Sequence, residues 1–261
     1  MLRVAAVMTT SVKKQFDERC EAFSRSASWV TSPKLLTAHR RALKGLVPRR
    51  ALMLEICCGT GEVSGALKRA GLETYGLDLS PGMLKKAAAH IRNLRRGDAH
   101  KLPYPAAFFH AVVMRQAMQF LRPAAFLKEA RRVLKPGGTL LLSHHVPQTP
   151  AEHARLLKIY RLIQPSGIFN DPAKLYLAAD LARHIRAAGF KIKRKITLHT
   201  TESITALLKC YPNLAHRQKR RILNEYLAAP PAFRETCRIA QKKDGLCASW
   251  KWIIFAAVKG L

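Results

Sequence analysis

The sequence predicts an α/β fold, a Rossmann-like, doubly wound and mostly parallel seven-stranded sheet with an antiparallel last strand and helical cap segments. Two observations predict it. From residue 51 onward, short apolar runs alternate with longer amphipathic stretches, which is typical of strands alternating with helices. In addition, a glycine-containing turn joins the first apolar run to the amphipathic stretch that follows it, as in nucleotide-binding α/β sheets.

The elements follow from the same pattern, taken in chain order. The spacing predicts helices over residues 11–47, with a break at Ser32-Pro33, where the serine can cap a helix that has proline in its first turn. Strands are then predicted at 51–57, 74–79, 95–98, 109–114 and 139–144, and helices at 62–70, 80–91 and 123–134. Pro136-Gly137-Gly138 predicts a turn.

The regular alternation of strands and helices ends after residue 145. We predict helices at about 151–164 and 173–189, a loop at 164–172, a strand at 190–198, a mostly helical region at 201–242 and a last strand at 249–258. We therefore expect residues 1–48 to form an N-terminal helical segment over the site. Residues 49–261 are expected to form the main domain, with helical insertions at about 146–175 and 199–247.

Composition narrows the class of protein. The 261 residues are 48% hydrophobic, enough for a large core, and no apolar run reaches the roughly 18 residues that span a bilayer. The six cysteines contain no C-x-x-C pair, so neither a metal site nor a disulfide framework is expected, and a reducing cytoplasm is the expected location.

The charge is the unusual feature, because 46 basic residues against 16 acidic ones give a net charge of +30. Such a charge attracts nucleic acid, anionic membrane surfaces and acidic substrates alike. The basic residues are scattered and lack interleaved aromatic residues, so a solvated basic surface is an equally open interpretation.

Three predicted strand ends carry the groups that suggest a ligand site. The first strand ends in Glu55 to Gly61, a turn whose glycines allow a ligand to approach the backbone closely. Asp78 ends the second strand, where a carboxylate can accept both hydroxyls of a ribose. Gly97-Asp98 ends the third predicted strand. Because parallel strands end at one edge of a sheet, we expect these groups to meet in one crevice.

These residues resemble the class I S-adenosylmethionine-dependent methyltransferases across about residues 50–145, and loosely to the C-terminus. The matching pieces are L-E-I-C-C-G-T-G, Y-G-L-D-L-S-P-G-M-L, G-D-A-H-K-L-P-Y, F-F-H-A-V-V and L-K-E-A-R-R-V-L-K-P-G-G-T-L-L-L. Within the class, the chain is most similar to the small-molecule group that includes menaquinone, ubiquinone and biotin-pathway methyltransferases. The resemblance implies S-adenosylmethionine as cofactor and S-adenosylhomocysteine as product.

The resemblance also implies roles for particular residues. Those expected to surround the methionine moiety are Glu55, Cys57, Gly59 and Gly61, with Cys57 standing where the family usually has glycine. Asp78 would hold the ribose. The adenine would be flanked by Leu79 and Met83 and bound at its amino edge by Asp98 and Ala99, and Arg115 and Gln116 would face the sulfonium and the acceptor.

A general base is needed only for a protonated acceptor, and the candidates are His144 and His145 at the end of the fifth strand. At most one should face the site, because neighbouring strand residues point to opposite faces, and a purely structural role for both stays open.

Two other functions remain as alternatives to a small, amphiphilic or anionic acceptor. RNA methylation is suggested by the charge, although Met114 to Met118 after the fourth strand does not resemble the N/D-P-P-Y motif of base-amine methyltransferases. A NAD-binding oxidoreductase is the other, but Ser64 stands where its fingerprint requires a third glycine.

Overall fold

The computed structural model describes residues 2–164 and 167–260, and side chains from residue 11 onward, so Pro165 and Ser166 of the predicted loop lie outside the described residues. The strands in chain order are β1 (Leu52–Ile56), β2 (Glu73–Asp78), β3 (Asn93–Arg96), β4 (Phe109–Arg115), β5 (Leu134–His145), β6 (Phe190–Ser203), β7 (Ala240–Lys242) and β8 (Gly245–Lys259). Their order in the sheet is β3-β2-β1-β4-β5-β8-β6, and β7 pairs with β8.

The helices cover both faces of this sheet. They are α1 (Leu2–Arg19), α2 (Phe23–Ser26), α3 (Ser28–Thr31), α4 (Pro33–Leu43), α5 (Glu62–Lys68), α6 (Pro81–Ala87), α7 (Pro123–Val133), α8 (Pro150–Ile163), α9 (Ala178–Ala187), α10 (Ile204–Leu207), α11 (His216–Leu227) and α12 (Pro231–Thr236). None of the helices described combines the length and apolarity needed to cross a bilayer.

The predicted fold class is confirmed. The pairs β1–β2, β1–β4, β2–β3 and β4–β5 are parallel, and β8 runs antiparallel to both β5 and β6. The short β7 is an addition that the sequence pattern did not predict. It extends the seven predicted strands to eight by folding back on β8 through a turn at Gly245, whose φ is +96°.

The strand order positions the site. After β1 the chain adds β2 and β3 on one side of it and then crosses over to β4 on the other side. Loops after β1 and β4 therefore leave the sheet in opposite directions and open a crevice at its carboxyl edge. Side chains of β1 alternate between the two faces. Met53 packs in one apolar cluster and Leu54 and Ile56 in the other, so Glu55 shares the face of Met53.

Several boundaries differ from the predicted ones. The predicted turn at Pro136-Gly137-Gly138 lies inside β5, which runs from Leu134 to His145, with Gly137 at a φ of +71°. β6 continues to Ser203, because its register with β8 continues to the pair Ser203–Cys247. The helical segment after β6 therefore begins at Ile204 rather than at residue 199. Cross-strand pairing of this kind depends on residues far away in the chain, which a local pattern does not contain.

The other helix boundaries shift by a few residues. The break at Ser32 is confirmed, since its hydroxyl accepts a hydrogen bond from Leu35 N at 3.3 Å. α9 begins at Ala178 rather than at residue 173, because residues 172–174 form a 3₁₀ turn that is capped by Asp171. The helix after β2 ends at Ala87, four residues before the predicted end.

Candidate functional site

A cavity of about 1160 Å³ lies at the carboxyl edge of the sheet, and we call it the central cavity. A ligand pocket is typically about 300–1,000 Å³, so this volume accommodates a nucleoside-sized ligand together with a second molecule. The residues that line it are Val12, Lys13, Phe16, Phe23, Trp29, Val30, Glu55, Cys57, Cys58, Gly59, Thr60, Asp78, Leu79, Ser80, Met83, Gly97, Asp98, Ala99, His100, Arg115, Gln116, Ala117, Phe120, Leu121, Arg122, Gly167, Ile168, Asn170, Asp171 and Lys174.

The turn after β1 has the left-handed backbone that favours glycine. Gly59 has a φ of +53°, and a Cβ added to it would meet only Phe23 Cε1 at 3.9 Å, so the backbone there is open to a ligand. Cys57 also has a φ of +53°, a backbone conformation that favours glycine, the residue that the resemblance leads one to expect at this position. Gly61 is not among the lining residues. Its φ is +83°, and a Cβ there would lie 3.3 Å from Ala87 of α6, so its smallness allows helix packing.

Asp78 binds the two loops that border the site. Its Oδ2 accepts a hydrogen bond from Gly59 N at 2.8 Å, and its Oδ1 accepts one from Ser80 N at 2.9 Å. Burial raises the pKa of this carboxyl, and the two backbone donors oppose that rise. Each carboxylate oxygen has more than one acceptor position, so the group can still accept hydrogen bonds from a ligand.

Glu55 lies deeper in the cavity. Its Oε2 accepts hydrogen bonds from Ser64 N at 2.9 Å and from Ser64 Oγ at 2.6 Å. Burial raises the pKa of Glu55 to about 7, against the opposing effects of Ser64 and of the Arg115 cation. A buried carboxyl that titrates near neutral pH is suited to receive a cationic group of a ligand, such as an ammonium.

The ends of β2 and β3 form a second part of the lining. Leu79, Met83, Asp98 and Ala99 all line the central cavity, and the roles expected for them around an adenine stay predictions. Asp98 Oδ1 accepts hydrogen bonds from His100 N at 2.9 Å and from His100 Nδ1 at 2.6 Å. These hydrogen bonds from His100 lower the pKa of Asp98, so its carboxylate is ionised at neutral pH and can accept a donor of a ligand.

Arg115 is buried and acts on the N-terminal segment. Its Nη1 donates to Trp29 O at 3.4 Å and to Val30 O at 3.1 Å, at the end of α3. Glu202 of β6 binds the start of the same helix, by accepting hydrogen bonds from Trp29 N at 2.9 Å and from Ser28 Oγ at 2.5 Å. An anion at the N-terminus and a cation at the C-terminus both match the helix dipole. The two residues together thus fix α3 against the cavity.

We expect Arg115→Met to loosen this segment, because it leaves two buried carbonyl groups and two buried carboxyls without their cation. The expected loss of stability is about 2–4 kcal/mol. Hydrogen exchange of the amides of residues 23–43 should increase more than that of β4. Arg41→Met on the exposed face of α4 is the matched control, and equal exchange in the two variants would contradict the role of Arg115.

Gln116 lines the cavity, but its side chain points to the sheet. Its Oε1 accepts a hydrogen bond from His145 N at 2.7 Å, and its backbone has a φ of +54°. A strained backbone held by a tertiary hydrogen bond is typical of functional loops. Gln116 therefore fixes the loop after β4 to the end of β5.

The structure does not bring His144 or His145 to the central cavity. His144 Nδ1 donates to His145 O at 2.7 Å, and its Nε2 lies 2.9 Å from the side-chain amide of Gln119. His145 stacks on Trp250, with ring centroids 4.4 Å apart, and contacts Tyr160 Oη through Nδ1 at 3.1 Å. Burial lowers the pKa of His144 to about 4 and that of His145 to about 3. These contacts are those of structural residues, and a base role for either histidine stays a prediction without geometric support.

One wall of the cavity is aromatic and is formed by the N-terminal segment together with residues from two later loops. Phe16 packs edge to face on Phe120 at 5.3 Å and on Phe23 at 6.3 Å, and Phe23 packs on Trp29 at 5.7 Å. Ile168 and Lys174 join this wall from the segment after α8. No local motif marks these residues, because they come from three separate stretches of the chain.

Asp17 attaches α1 to the start of α6. It accepts hydrogen bonds from Ser80 Oγ at 2.5 Å and from Gly82 N at 3.2 Å. Ser80 in turn caps α6 by accepting from Met83 N at 3.0 Å. The N-terminal segment is thus connected to the loop that Asp78 holds, which lies directly at the cavity.

The residues present fit an adenosylated sulfonium ligand. The turn at Gly59 has room for close approach, and Glu55, Asp78 and Asp98 supply three separate carboxyls around one cavity. Burial raises the pKa of the Cys57 and Cys58 thiols, so neither is placed to act as a nucleophilic thiolate. The described residues contain no group of histidine, cysteine and acidic side chains that could hold a metal ion.

Comparisons with known proteins agree with this arrangement. A family model described as "Methyltransferase domain" matches residues 54–142. A demethylmenaquinone methyltransferase of Tropheryma whipplei is 30% identical over 177 residues, which cover 63% of this chain and 73% of that protein. A malonyl-[acyl-carrier protein] O-methyltransferase of Hahella chejuensis is 38% identical over 104 residues, and the match spans only 37% of either chain.

The fold has a close counterpart among solved structures. The crystal structure of a putative methyltransferase from Bacillus halodurans superposes with a TM-score of 0.73 at 22% identity, and the match covers 87% of this chain and 99% of that one.

Proposed function

This chain belongs to the class I S-adenosylmethionine-dependent methyltransferases of the small-molecule group, and from that membership we propose that its acceptor is an amphiphilic molecule with an apolar body and an acidic end. The bound cofactor supplies an electrophilic methyl group on sulfur. The observation that carries the proposal is the wall formed by Phe16, Phe23, Phe120, Ile168 and Lys174, which combines aromatic side chains with a half-buried lysine.

The apolar part of that wall suits a ring or a hydrocarbon chain. Phe16 packs on both Phe23 and Phe120, and Ile168 also lines the cavity. Aromatic and aliphatic lining of this kind binds apolar ligands by removing their surface from water. The same wall excludes water from the position of methyl transfer, where positioning and desolvation supply much of the catalysis.

Lys174 supplies the polar end of the pocket. Its Nζ donates to Leu121 O at 2.9 Å, and it forms no ion pair with any carboxylate in the described part of the chain. Burial lowers the pKa of this amine, against the opposing effect of Asp171. A partly desolvated ammonium without a bound carboxylate favours an anionic group on the acceptor, because pairing restores the charge balance that burial disturbs.

Two relatives bear the names of acceptors that fit this description in part, a quinone and an acidic acyl thioester. The test is transfer of labelled methyl from S-adenosylmethionine to a panel containing prenylated hydroquinones, malonyl thioesters, long-chain carboxylates, total RNA and bulk protein. We expect label in amphiphilic small molecules. Label that appears only in RNA or in protein would overturn the proposal.

The variant Lys174→Met tests whether this lysine binds the acidic end of the acceptor. We expect KM for an acidic acceptor to rise about tenfold or more, as loss of a charge-assisted hydrogen bond implies, while affinity for S-adenosylhomocysteine stays within about twofold. Lys128→Met, on the exposed face of α7, is the matched control. If both variants have the KM of the wild-type protein, Lys174 does not contact the acceptor.

A further inference from the structure

A second concave feature lies on the outer surface between α8 and α11, with a volume of about 860 Å³, and we call it the basic groove. Its lining residues are Arg155, Lys158, His216, Arg217, Gln218, Arg220, Arg221, Asn224, Glu225 and Ala228. It contains five permanent cations and a single acid, so it concentrates the positive charge that the composition shows for the whole chain. It shares no lining residue with the central cavity.

The single acid of the groove is already paired. Glu225 Oε1 lies 2.9 Å from Lys158 Nζ, and its Oε2 lies 3.2 Å from Arg155 Nη2. Within the described residues, Arg217, Arg220 and Arg221 form no ion pair. Three guanidinium groups on α11 are therefore available to an external anion.

These arginines do not serve the stability of α11. Arg217 lies three and four positions before Arg220 and Arg221, so the like charges share one helix face, and such pairs destabilise a helix. The first turn of α11 contains no acid, and it has Arg217 where the helix dipole favours an anion. The opposite face is fixed in the core by Ile222 and Tyr226, which are 0% and 1% exposed, so the arginines are held outward.

One apolar side chain stands at the end of this surface. Leu227, the last residue of α11, is 48% exposed and is one of the two large hydrophobic residues that are exposed in the described chain. Exposed leucine beside clustered arginine on an amphipathic helix is typical of helices that lie on membrane surfaces.

We propose that the basic groove docks this enzyme on the surface of a bilayer that contains anionic phospholipids, with lipid phosphates bound by Arg217, Arg220 and Arg221. The inference rests on the proposed function, because an amphiphilic acceptor partitions into bilayers and the enzyme must collect it there. α8, which forms one side of the groove, ends at Ile163, five residues before Ile168 of the acceptor wall. Docking at this groove thus places the bilayer near the segment that builds the acceptor pocket.

The positive charge of the groove fits a lipid surface and a nucleic acid alike, and the composition of its lining favours the lipid. Apart from the imidazole of His216, the lining of the groove includes no aromatic side chain, and in particular no Phe, Tyr or Trp on which successive bases could stack, as they commonly do in single-strand binding sites. Basic pockets between helices bind phospholipid head groups through their phosphates alone.

The test is cosedimentation of the full-length protein with phosphatidylcholine vesicles, with and without phosphatidylglycerol, at physiological ionic strength. The variant is Arg217→Gln/Arg220→Gln/Arg221→Gln. The matched control is Arg49→Gln/Lys68→Gln/Arg69→Gln, which removes the same charge from exposed positions at the opposite edge of the sheet. The calorimetric affinity for S-adenosylhomocysteine and the thermal unfolding of each variant establish that it is folded.

We expect the wild-type protein to bind only vesicles that contain phosphatidylglycerol. The groove variant should bind roughly 100-fold more weakly, as the contribution of three cations near an anionic surface implies, and the control should change by less than about fivefold. Equal losses in the two variants would overturn the proposal, because binding would then depend on net charge alone. Groove-dependent binding to an RNA oligonucleotide with no binding to vesicles would also overturn it, in favour of a nucleic-acid partner.

The vesicle assay contains no acceptor and measures no methyl transfer. Failure of the docking proposal would therefore leave the acceptor class to be decided by the labelling panel, and failure of the panel would leave the vesicle result standing.

Discussion

Replacing Asp78 with alanine is expected to reduce affinity for S-adenosylhomocysteine by at least about 100-fold. Hydrogen bonds to a charged partner contribute about 1.5–3 kcal/mol each, and a ribose offers two hydroxyls to this carboxylate. The variant also loses the acceptor of Gly59 N and Ser80 N, so the two loops that border the cavity lose the group that joins them. Calorimetric titration with S-adenosylhomocysteine measures the effect.

The chain offers a matched control on the same strand. Glu73 begins β2 at the opposite edge of the sheet and is exposed, so Glu73→Ala removes a carboxylate without reaching the cavity. We expect Glu73→Ala to bind as the wild-type protein does. Asp78→Asn keeps one oxygen acceptor and should fall between Asp78→Ala and the wild-type protein. Wild-type affinity in Asp78→Ala, within about threefold, would show that Asp78 does not hold the ligand.

The second large effect concerns acid stability and arises at His39 in α4. This side chain is fully buried, and its Nδ1 contacts Leu35 O at 2.6 Å. Burial, helped by the nearby Arg115 cation, lowers the pKa of His39 from 6.5 to about 3. The unfolded chain therefore binds a proton near pH 6.5 that the folded chain does not bind until about pH 3. Burying His39 in its neutral form therefore costs no proton-binding free energy above pH 6.5. As the pH falls from 6.5 towards 3, proton binding by the unfolded chain lowers the free energy of unfolding.

We expect His39→Leu to remove this dependence. The free energy of unfolding of the variant minus that of the wild-type protein should be about 2 kcal/mol larger at about pH 5 than at about pH 7. Urea unfolding of both proteins at the two pH values measures the difference. Leu43→Ala on the same helix removes apolar contacts but no titrating group, and its cost should be the same at both pH values. A difference for His39→Leu that does not change with pH would contradict the shifted pKa.

The strand-end half of the site could be predicted from the sequence because its groups occupy the ends of successive strands. Asp78 directly follows an apolar run and Asp98 follows the short third strand, and parallel strands bring such positions to a single edge. The glycine turn has a local requirement, positive φ, that a sequence displays. Even the departure at Cys57 has a local explanation in its φ of +53°.

The other half could not be predicted, because its contacts are long-range. Arg115 was expected to face the ligand, but its guanidinium also binds carbonyl groups 85 and 86 positions away in the chain. His145 ends β5 at the carboxyl edge of the sheet, where the cavity lies, yet Trp250 of β8 stacks on it. The position of β8 beside β5 results from strand pairing, which a local sequence pattern does not contain. The alternation of side chains along a strand predicts which face of the sheet each one lies on. It does not predict which other elements pack on that face.

The two walls of the central cavity have separate origins in the chain. Glu55, Asp78 and Asp98 lie in or just after the first three strands, while Phe16, Ile168 and Lys174 come from cap segments and Phe120 from the turn after β4. With the proposed roles, substitutions of Phe16, Ile168 or Lys174 are expected to alter which compounds become methylated, whereas Asp17 of the same cap holds the loop beside Asp78 and would affect the methyl donor as well. Divergence of acceptor preference, in evolution or by laboratory selection, is therefore expected at the cap side chains that face the cavity and do not bind the strand-end loops.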